Sequence, residues 1–298
     1  MLLHRRYPAP AGSVLITGTS TGIGRAAAIR LAQAGFHVVA GVRRADDGET
    51  LAGLAAPGRI TPLLLDVSDP ASVHTAATTL RQELADRRSF LAGVISNAGV
   101  GMIAPVTYLN EDILHYQTET NLLGHMRLAR DMIPVMQDTL AGQARRGRFY
   151  FVGTGAGIPS LVFPLLSSYM ACKWGVEAFC QSLRLEMQLT GSPIDVGMIN
   201  PGFTHTAMRD TTRQSVQSRV RADEPFGRHW APLLQRFGAY GDRQQGTPPE
   251  VAAERILDLM QAVTPKYRYR VGRDSVRTAL QARLPLCIQE WLIRRVYH

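Results

Sequence analysis

The chain has 298 residues, of which 45% are hydrophobic and 19% charged, with 27 glycines, 17 prolines and a formal net charge of +9. This length is enough for one large domain or two small ones, and the ordinary glycine and proline content excludes collagen-like and low-complexity chains. The positive charge favours anionic partners, which include phosphates, nucleic acid and lipid surfaces.

Short apolar segments alternate along the chain with longer segments of helical periodicity. This alternation is typical of βαβ units, in which helices cover both faces of a parallel sheet. The sequence therefore predicts a single doubly wound α/β domain with a seven-stranded parallel sheet. The predicted strands are 13–17, 36–41, 60–65, 91–95, 148–153, 193–199 and 267–271, and the predicted helices are 22–34, 70–86, 111–138 and 167–190. A further helix is predicted to start within 247–250 and to run to about residue 261.

Residues 203–247 interrupt the alternation, because they are rich in Arg, Gln and Thr and contain no strand pattern. A segment of this length without regular structure is usually either a functional lid or disordered. We place the catalytic domain at residues 1–274, with a substrate lid segment at 203–247. The aromatic residues expected to make this lid apolar are Phe203, Phe226, Trp230, Phe237 and Tyr240.

The remaining residues, 275–298, are predicted to form a C-terminal helical extension. Residues 265–298 carry eight basic and two acidic side chains, a net charge of +6, together with many apolar ones. This combination favours a basic amphipathic helix that makes a peripheral contact with an anionic membrane. The alternative is a helix that packs its apolar face on its own domain or on a dimer partner.

The three cysteines are Cys172, Cys180 and Cys287, and they form no Cys-x-x-Cys pair. The sequence therefore predicts neither a disulfide framework nor a zinc site. The eight histidines have no metal-ligand spacing, so no metal is expected, and only His205 is a candidate pocket residue. No apolar segment of signal-peptide length precedes the first predicted strand, which favours a cytoplasmic protein.

The first predicted strand ends in a glycine-rich turn that leads into an alanine-rich helix, with the spacing Gly-x-x-x-Gly-x-Gly. Glycines at such a turn let the backbone approach a pyrophosphate, whose charge the helix N-terminus stabilises. An ordinary tight turn between a strand and a helix is the alternative. The candidate cofactor-binding residues of this turn are Gly18, Thr19, Ser20, Thr21, Gly22, Ile23 and Gly24.

Tyr169 and Lys173 are four residues apart in a predicted helix, so their side chains share one face. A neighbouring ammonium group is expected to stabilise the phenolate and to lower the pKa of Tyr169 toward a range useful for proton transfer. A chance surface pair is the alternative. Lys173 is, however, one of only two lysines in the chain, the other being Lys266.

Together these motifs resemble those of the short-chain dehydrogenase/reductase family, over about residues 12–206. The resemblance implies a Rossmann-like domain that binds a nicotinamide coenzyme and transfers a hydride to or from a carbonyl or an alcohol. It also adds cofactor-binding candidates after the third, fourth and sixth strands, and a catalytic asparagine on the long helix. These residues are Asp66 and Val67; Asn97, Ala98 and Gly99; Pro201, Gly202, Thr204 and Thr206; and Asn121.

The resemblance also implies the roles of the catalytic residues. Tyr169 would exchange a proton with the substrate oxygen while hydride moves to or from the nicotinamide. Lys173 would hold the nicotinamide ribose hydroxyls and depress the pKa of the tyrosine. Asn121 would position a water that relays protons from Lys173 to bulk solvent.

The family's fourth catalytic residue is a serine about 13 residues before the tyrosine, and this chain departs from that pattern. Thr154 lies 15 residues before Tyr169, in the setting Thr-Gly-Ala-Gly. A threonine hydroxyl donates a hydrogen bond as well as a serine hydroxyl does. We therefore expect Thr154 to fill this role, with Ser160 and Ser167 as alternatives.

The end of the second strand predicts the coenzyme. NAD-preferring relatives carry an aspartate there, which holds the adenosine ribose hydroxyls and repels a 2′-phosphate. Val42 occupies that position here, and Arg43 and Arg44 follow it. A guanidinium can bind a phosphate through two parallel hydrogen bonds, so NADP (NADPH) is expected and NAD is less favoured. Two solvated arginines at a strand end are the alternative.

The lid and the ending from Lys266 to Val276 are similar to the steroid and retinol dehydrogenase branch, which implies a bulky apolar substrate, steroid-, retinoid- or polyketide-like. A small aldehyde or ketone is the alternative substrate, and a catalytically silent coenzyme-sensing protein is the alternative function. No nucleic-acid partner is expected, because no nucleic-acid-binding motif appears. Family members commonly pair through their long helices, here 111–138 and 167–190, so a homodimer or homotetramer is expected.

Overall fold

The computed structural model describes residues 6–7, 10–56, 59–155, 162–206, 227–243 and 246–297. It contains one sheet of seven parallel strands in the order β3-β2-β1-β4-β5-β6-β7. The predicted doubly wound α/β fold is confirmed. The strands are β1 (Ser13–Thr17), β2 (His37–Val42), β3 (Ile60–Leu64), β4 (Leu91–Ser96), β5 (Gly147–Val152), β6 (Ile194–Pro201) and β7 (Arg268–Val271).

Helices cover both faces of this sheet. Ten α-helices lie in the described part of the chain, with a short 3₁₀ helix at Val106–Tyr108 and a turn of π-helix at Glu119–Leu123. The α-helices are α1 (Gly22–Gln33), α2 (Ala45–Ala52), α3 (Pro70–Asp86), α4 (Glu111–Thr118), α5 (Gly124–Leu140), α6 (Ser167–Leu189), α7 (Gly227–Arg243), α8 (Pro249–Gln261), α9 (Arg273–Gln281) and α10 (Leu286–Tyr297).

The core consists of two apolar layers, one on each face of the sheet. Leu15 of β1 belongs to the layer under α3, α5 and α6, whereas its neighbours Val14 and Ile16 belong to the layer under α1 and α8. All three side chains are fully buried. Burial on both faces explains why the strands are continuously apolar and do not alternate with polar residues.

Strand order reverses between β1 and β4. β1 pairs with β2 on one side and with β4 on the other, so the segments that follow β1 and β4 leave toward opposite faces of the sheet. A crevice opens at the carboxyl ends of the strands where such a reversal occurs, and ligands of doubly wound proteins bind there. The two strands are held in register, for example with Ile16 opposite Ile95.

Some helix boundaries follow directly from local sequence. Asp69 accepts a hydrogen bond from the Ala71 N–H at 2.9 Å, and Pro70 occupies the first turn of α3. This cap and proline were expected from the sequence, because both satisfy the special geometry of a helix start. The start of α8 after Pro248 was likewise predicted and is confirmed.

Other elements differ from the expectation. The helix predicted at 111–138 is divided into α4 and α5 by the π turn at Glu119–Leu123, and α2 was not predicted. Residues 227–243 form α7, so the expectation of no regular structure is wrong for that stretch. The rest of the predicted lid, at 207–226 and 244–245, lies outside the described residues and includes Phe226.

The C-terminal extension consists of two helices rather than one. α9 begins at Arg273 and so crosses the expected boundary between residues 274 and 275, and α10 packs against α7. None of the helices in the described residues is long and apolar enough to cross a membrane.

Candidate active site

The glycine turn after β1 requires glycine at three positions for physical reasons. Gly18 and Gly22 have φ angles of +67° and +57°, in the left-handed region that favours glycine. A Cβ atom on Gly24 would overlap the carbonyl oxygen of Gly18. The N-terminus of α1 therefore approaches the turn closely, and its free N–H groups face the crevice between β1 and β4.

Hydrogen bonds join the turn to the two neighbouring strands. The Thr17 hydroxyl accepts from the N–H groups of Asn97 (3.0 Å) and Ala98 (2.9 Å), and the Asn97 side-chain amide donates to the Thr17 carbonyl at 2.9 Å. On the other side, the Thr19 hydroxyl donates to the carbonyl of Gly41 in β2 at 3.1 Å. The ends of β2, β1 and β4 are thus fixed relative to one another.

Asn121 lies in the π turn and is fully buried. Its side chain pairs with the main chain of Val100, donating to the carbonyl and accepting from the N–H, both at 2.8 Å. A Cβ atom on Gly99 would lie 3.1 Å from the Asn121 Oδ1 and 3.6 Å from the Lys173 Nζ. The structure therefore brings Asn121, Gly99 and Lys173 together beyond the carboxyl end of β4.

Tyr169 and Lys173 share one face of α6, with the Lys173 Nζ 6.0 Å from the centroid of the Tyr169 ring. The ammonium group is buried and donates a hydrogen bond to the carbonyl of Val152, the last residue of β5, at 3.0 Å. Burial lowers the pKa of Lys173 from 10.5 to about 8, because a charged group is poorly solvated there.

Thr154 lies next to Tyr169, where a hydrogen bond between the two side chains acts on the pKa of Tyr169. Burial raises the pKa of Tyr169 to about 12, and the hydrogen bond with Thr154 opposes that shift. We had expected Lys173 to lower this pKa, but desolvation of the phenolate dominates in the free protein. Tyr169 is consequently a neutral phenol at physiological pH and can donate a proton. Ser167 is exposed at the start of α6, and Ser160 lies outside the described residues.

The end of β2 presents two arginines that point to different partners. Val42 itself is buried, whereas Arg43 and Arg44 are exposed. The Arg43 guanidinium donates to the hydroxyl of Tyr116 on α4 at 3.4 Å, and Arg44 lies 3.8 Å from the carboxylate of Asp46 on α2. Arg43 is therefore the one turned toward α4, while Arg44 stays on the side of α2.

Asp66 and Val67, the predicted cofactor-binding residues after β3, are held in place by the turn that follows this strand. The Asp66 carboxylate accepts hydrogen bonds from the N–H of Ser68 at 2.9 Å and from its hydroxyl at 2.6 Å. Val67 is buried, and a Cβ atom on Gly124 would lie 2.9 Å from its side chain. Val67 therefore packs beneath the start of α5, and the Asp66 carboxylate closes the turn after β3.

The loop after β6 folds back onto the glycine turn. A Cβ atom on Gly22 would lie 2.9 Å from the side chain of Thr206, and Thr204 donates to the carbonyl of Gly202 at 3.2 Å. Pro201, which ends β6, is buried. His205, the expected pocket histidine, is instead exposed beside Gly246.

These features are shared with known proteins. Residues 13–217 match the family model described as short chain dehydrogenase. The chain belongs to this family. Retinol dehydrogenase 5 of Mus musculus is 32% identical over 322 residues, covering 99% of this chain and 93% of that protein, which confirms the resemblance to the retinol and hydroxysteroid branch. Uncharacterized oxidoreductase YbbO of Escherichia coli (strain K12) is 30% identical over 259 residues, covering 87% and 85% of the two chains.

A solved structure shows the same fold. The short chain dehydrogenase/reductase from Burkholderia phymatum in complex with NAD aligns over 96% of each chain with a TM-score of 0.73, at 20% sequence identity. The sequence resemblance to the short-chain dehydrogenase family is therefore confirmed by sequence and by fold.

The sequence did not predict a buried network behind the candidate catalytic residues. The Glu177 carboxylate, on the same helix as Tyr169, is buried and ion-paired with Arg268 of β7. Arg268 also donates to the Asn200 side-chain oxygen at 3.0 Å, and the Asn200 amide donates to the Thr154 carbonyl at 3.0 Å. The only available signal was that Glu177 lies four residues after Lys173.

Arg268→Met tests whether this ion pair holds the fold of the site. It leaves the buried Glu177 carboxylate unpaired, so we expect the free energy of unfolding to fall by about 3–5 kcal/mol in urea denaturation. Arg255→Met is the matched control, because Arg255 pairs with Asp258 at 3.1 Å on an exposed surface and should cost below about 1 kcal/mol. Equal losses in the two variants would contradict the role of the network.

Proposed function

We propose that this short-chain dehydrogenase transfers a hydride between NADP(H) and a carbonyl or alcohol of a bulky apolar molecule. The observation that carries the proposal is the pair of Tyr169 and Lys173 on one face of α6, with the Lys173 ammonium held by the Val152 carbonyl. Thr154 adds a hydroxyl next to Tyr169. Together these three side chains supply a proton donor, a second hydroxyl and a cation at the carboxyl ends of the strands, where the segments after β1 and β4 separate.

The crevice fits a dinucleotide. Gly18 and Gly24 let the turn and the start of α1 pack closely, because a Cβ atom at either position would meet protein atoms within 2.9 Å. A turn of this kind lets the backbone approach a pyrophosphate. The neighbouring helix N-terminus favours negative charge. The coenzyme, when bound, supplies or accepts the hydride; all other roles fall to the protein's own residues.

In the direction of carbonyl reduction, Tyr169 would donate its phenolic proton to the substrate oxygen. Thr154 would bind the same oxygen, and its position next to Tyr169 supports this role. Lys173 would hold ribose hydroxyls through its remaining N–H groups. Asn121, which Val100 fixes beside Lys173, would position the water that returns a proton from bulk solvent.

The substrate class rests on the lid and on the family branch. α7 carries Trp230 and Phe237 within the predicted lid, and the similar mouse protein is named a retinol dehydrogenase. A small aldehyde or ketone is the second candidate. A silent coenzyme sensor is disfavoured, because the chain keeps both Tyr169 and Lys173 on one helix face, with Lys173 next to Gly99.

The proposal includes a cytoplasmic homodimer or homotetramer. The outer side of α6 exposes two large apolar side chains, Leu185 and Leu189. Exposed leucines on one side of a long helix are typical of a surface that a second copy covers. This helix and the α4–α5 pair are therefore the proposed subunit contact.

Tyr169→Phe removes the proton donor and keeps the ring. We expect kcat to fall by ~10²–10⁴, the range typical of general acid–base groups, while NADPH still binds. The measurement is a panel of apolar ketones and alcohols followed by NADPH absorbance, with coenzyme binding followed by fluorescence titration. Near-normal turnover in this variant would overturn the assignment of Tyr169.

Thr154 variants test the departure from the usual serine. Thr154→Ser keeps a hydroxyl that can donate to the substrate oxygen, so it should retain most of the turnover. Thr154→Val is similar in shape but lacks the hydroxyl, so kcat/KM should fall well below that of the serine variant. If the two variants are equally active, the second hydroxyl comes from another residue.

The coenzyme preference is tested at the end of β2. A charge-assisted hydrogen bond contributes roughly 1.5–3 kcal/mol, so we expect kcat/KM for NADPH to exceed that for NADH by at least ~10-fold. Arg43→Ala should narrow this ratio and Val42→Asp should invert it. Arg44→Ala, at the neighbouring exposed arginine, should have a smaller effect than Arg43→Ala.

Because Val42 is buried, Val42→Asn serves as the control for inserting a polar group there. It should weaken the use of both coenzymes alike, since it adds no charge to repel the 2′-phosphate. Equal use of NADPH and NADH by the unmodified protein would show that this strand end does not set the preference.

The lowered pKa of Lys173 predicts how coenzyme binding depends on pH. The free protein loses this ammonium as pH rises through about 8, so NADPH affinity should decrease above that pH, by up to about tenfold per pH unit. Fluorescence titration of NADPH binding between about pH 6.5 and pH 9.5 measures the effect. Lys173→Met should bind NADPH weakly at every pH, and a pH dependence that persists in this variant would contradict the assignment.

A further inference from the structure

The two C-terminal helices expose a concentrated apolar surface, here called the C-terminal patch. Fourteen large apolar side chains are exposed in the described residues, and six of them fall between residues 276 and 291. Such concentration marks an interaction site, since isolated exposed apolar residues are common but contiguous ones are not. The patch consists of Val276, Leu280, Leu284, Leu286, Ile288 and Trp291.

Helical spacing places the first part of the patch on one stripe. Val276 and Leu280 are one turn apart in α9, and Leu284 follows one further turn along, in the bend before α10. In α10 the patch continues with Leu286, which is 61% exposed, and Trp291, which is 52% exposed. These fractions are large for side chains of this size and show that the described part of the chain leaves them largely uncovered.

Part of the surface of α10 is already packed. Gln289 is buried and donates to the carbonyl of Leu284 at 2.7 Å, Leu292 and Ile293 are half-buried, and the helix contacts α7. These residues therefore pack on the protein's own domain, as the alternative interpretation of the sequence predicts. The C-terminal patch is the apolar surface that remains after this packing is complete.

The charges around the patch are almost all positive. Residues 273–297 contain five arginines against Asp274 and Glu290, a net charge of +3. Asp274 is bound to the main-chain N–H of Phe203, and Glu290 lies 3.5 Å from Arg294. The exposed basic residues are Arg273, Arg277, Arg283, Arg294 and Arg295.

This arrangement selects among possible occupants. A second copy of the chain, related by a twofold axis, would place the same positive charges opposite one another, which opposes association. An anionic lipid surface offers apolar chains for the patch and negative headgroups for the arginines. Trp291, with the Arg295 guanidinium 4.4 Å above its ring, has an apolar body and a polar edge suited to that boundary.

We propose that the C-terminal patch docks this protein on anionic lipid bilayers as a peripheral contact. The first turn of α9 also places the patch next to the candidate active site, because the Ser275 hydroxyl donates to the Asn200 carbonyl at 2.8 Å. An apolar substrate dissolved in the bilayer would thus lie near the loop after β6. Docking itself does not depend on the hydride-transfer activity and is tested without it.

The test is flotation of the 298-residue chain with vesicles of phosphatidylcholine alone or of phosphatidylcholine with phosphatidylserine. We expect flotation only with the phosphatidylserine vesicles, and its loss in the double variant Leu286→Glu/Trp291→Glu. The matched control is Leu54→Glu/Leu64→Glu, which makes the same charge change at two similarly exposed leucines elsewhere. This control should float like the unmodified protein.

A label reports the contact directly. Cys287 is exposed within α10, whereas Cys172 and Cys180 are buried, so a thiol-reactive, environment-sensitive fluorophore attaches selectively to the patch. We expect its emission to shift to shorter wavelength with phosphatidylserine vesicles, because the label enters a less polar environment. Tyr169→Phe should give the same shift, which separates docking from catalysis.

Three results would overturn the proposal. The first is recovery of the unmodified protein in the soluble fraction with every vesicle. The second is flotation that persists in Leu286→Glu/Trp291→Glu, which would place the contact elsewhere. The third is a fall in oligomer mass in that variant by sedimentation velocity, without vesicle binding by the unmodified protein, which would assign the patch to a second copy of the chain.

Discussion

The candidate site depends on the hydrogen bonds that join the ends of β1 and β4. Strand order reverses there, so the chain leaves the two strands toward opposite faces and a crevice opens between them. The Thr17 hydroxyl and the Asn97 amide span this gap and satisfy polar groups that the sheet leaves unpaired. Because these bonds fix the width of the crevice, the glycine turn and the residues at Lys173 face each other at a set distance.

Burial, rather than the four-residue spacing of Tyr169 and Lys173, dominates the pKa values of these two groups. Burial moves Tyr169 and Lys173 in opposite directions along the pKa scale, and in both cases toward the neutral form. The Val152 carbonyl stabilises the ammonium and so offsets part of the cost of burying it. A helix face shared by tyrosine and lysine is thus visible in the sequence. The direction in which the pKa of Tyr169 shifts is not visible in the sequence, because it depends on which residues of the folded protein exclude water from the phenol.

Features that depend on neighbouring residues were predictable, and features that depend on distant ones were not. The apolar strands, the glycine spacing and the Asp69 cap are local, and each appears where expected. Glu177 and Arg268 are 91 positions apart in the sequence, so no local pattern predicts their ion pair. The π turn around Asn121 is also unsignalled, since the extra residue in that turn is stabilised by the Val100 backbone. α2 did carry a signal, the acidic residues Asp46 and Asp47 in its first turn.

Asn200 connects the catalytic side of the sheet to the C-terminal helices. Its side chain bonds to the Thr154 carbonyl and to Arg268, while its main-chain carbonyl accepts from the Ser275 hydroxyl. Ser275 is fully buried, yet the exposed C-terminal patch begins one residue later, at Val276. One helix therefore buries one side against the candidate active site and presents the other side to its surroundings. Asn200 is therefore the buried residue that bonds both to α9 and to the main chain at Thr154.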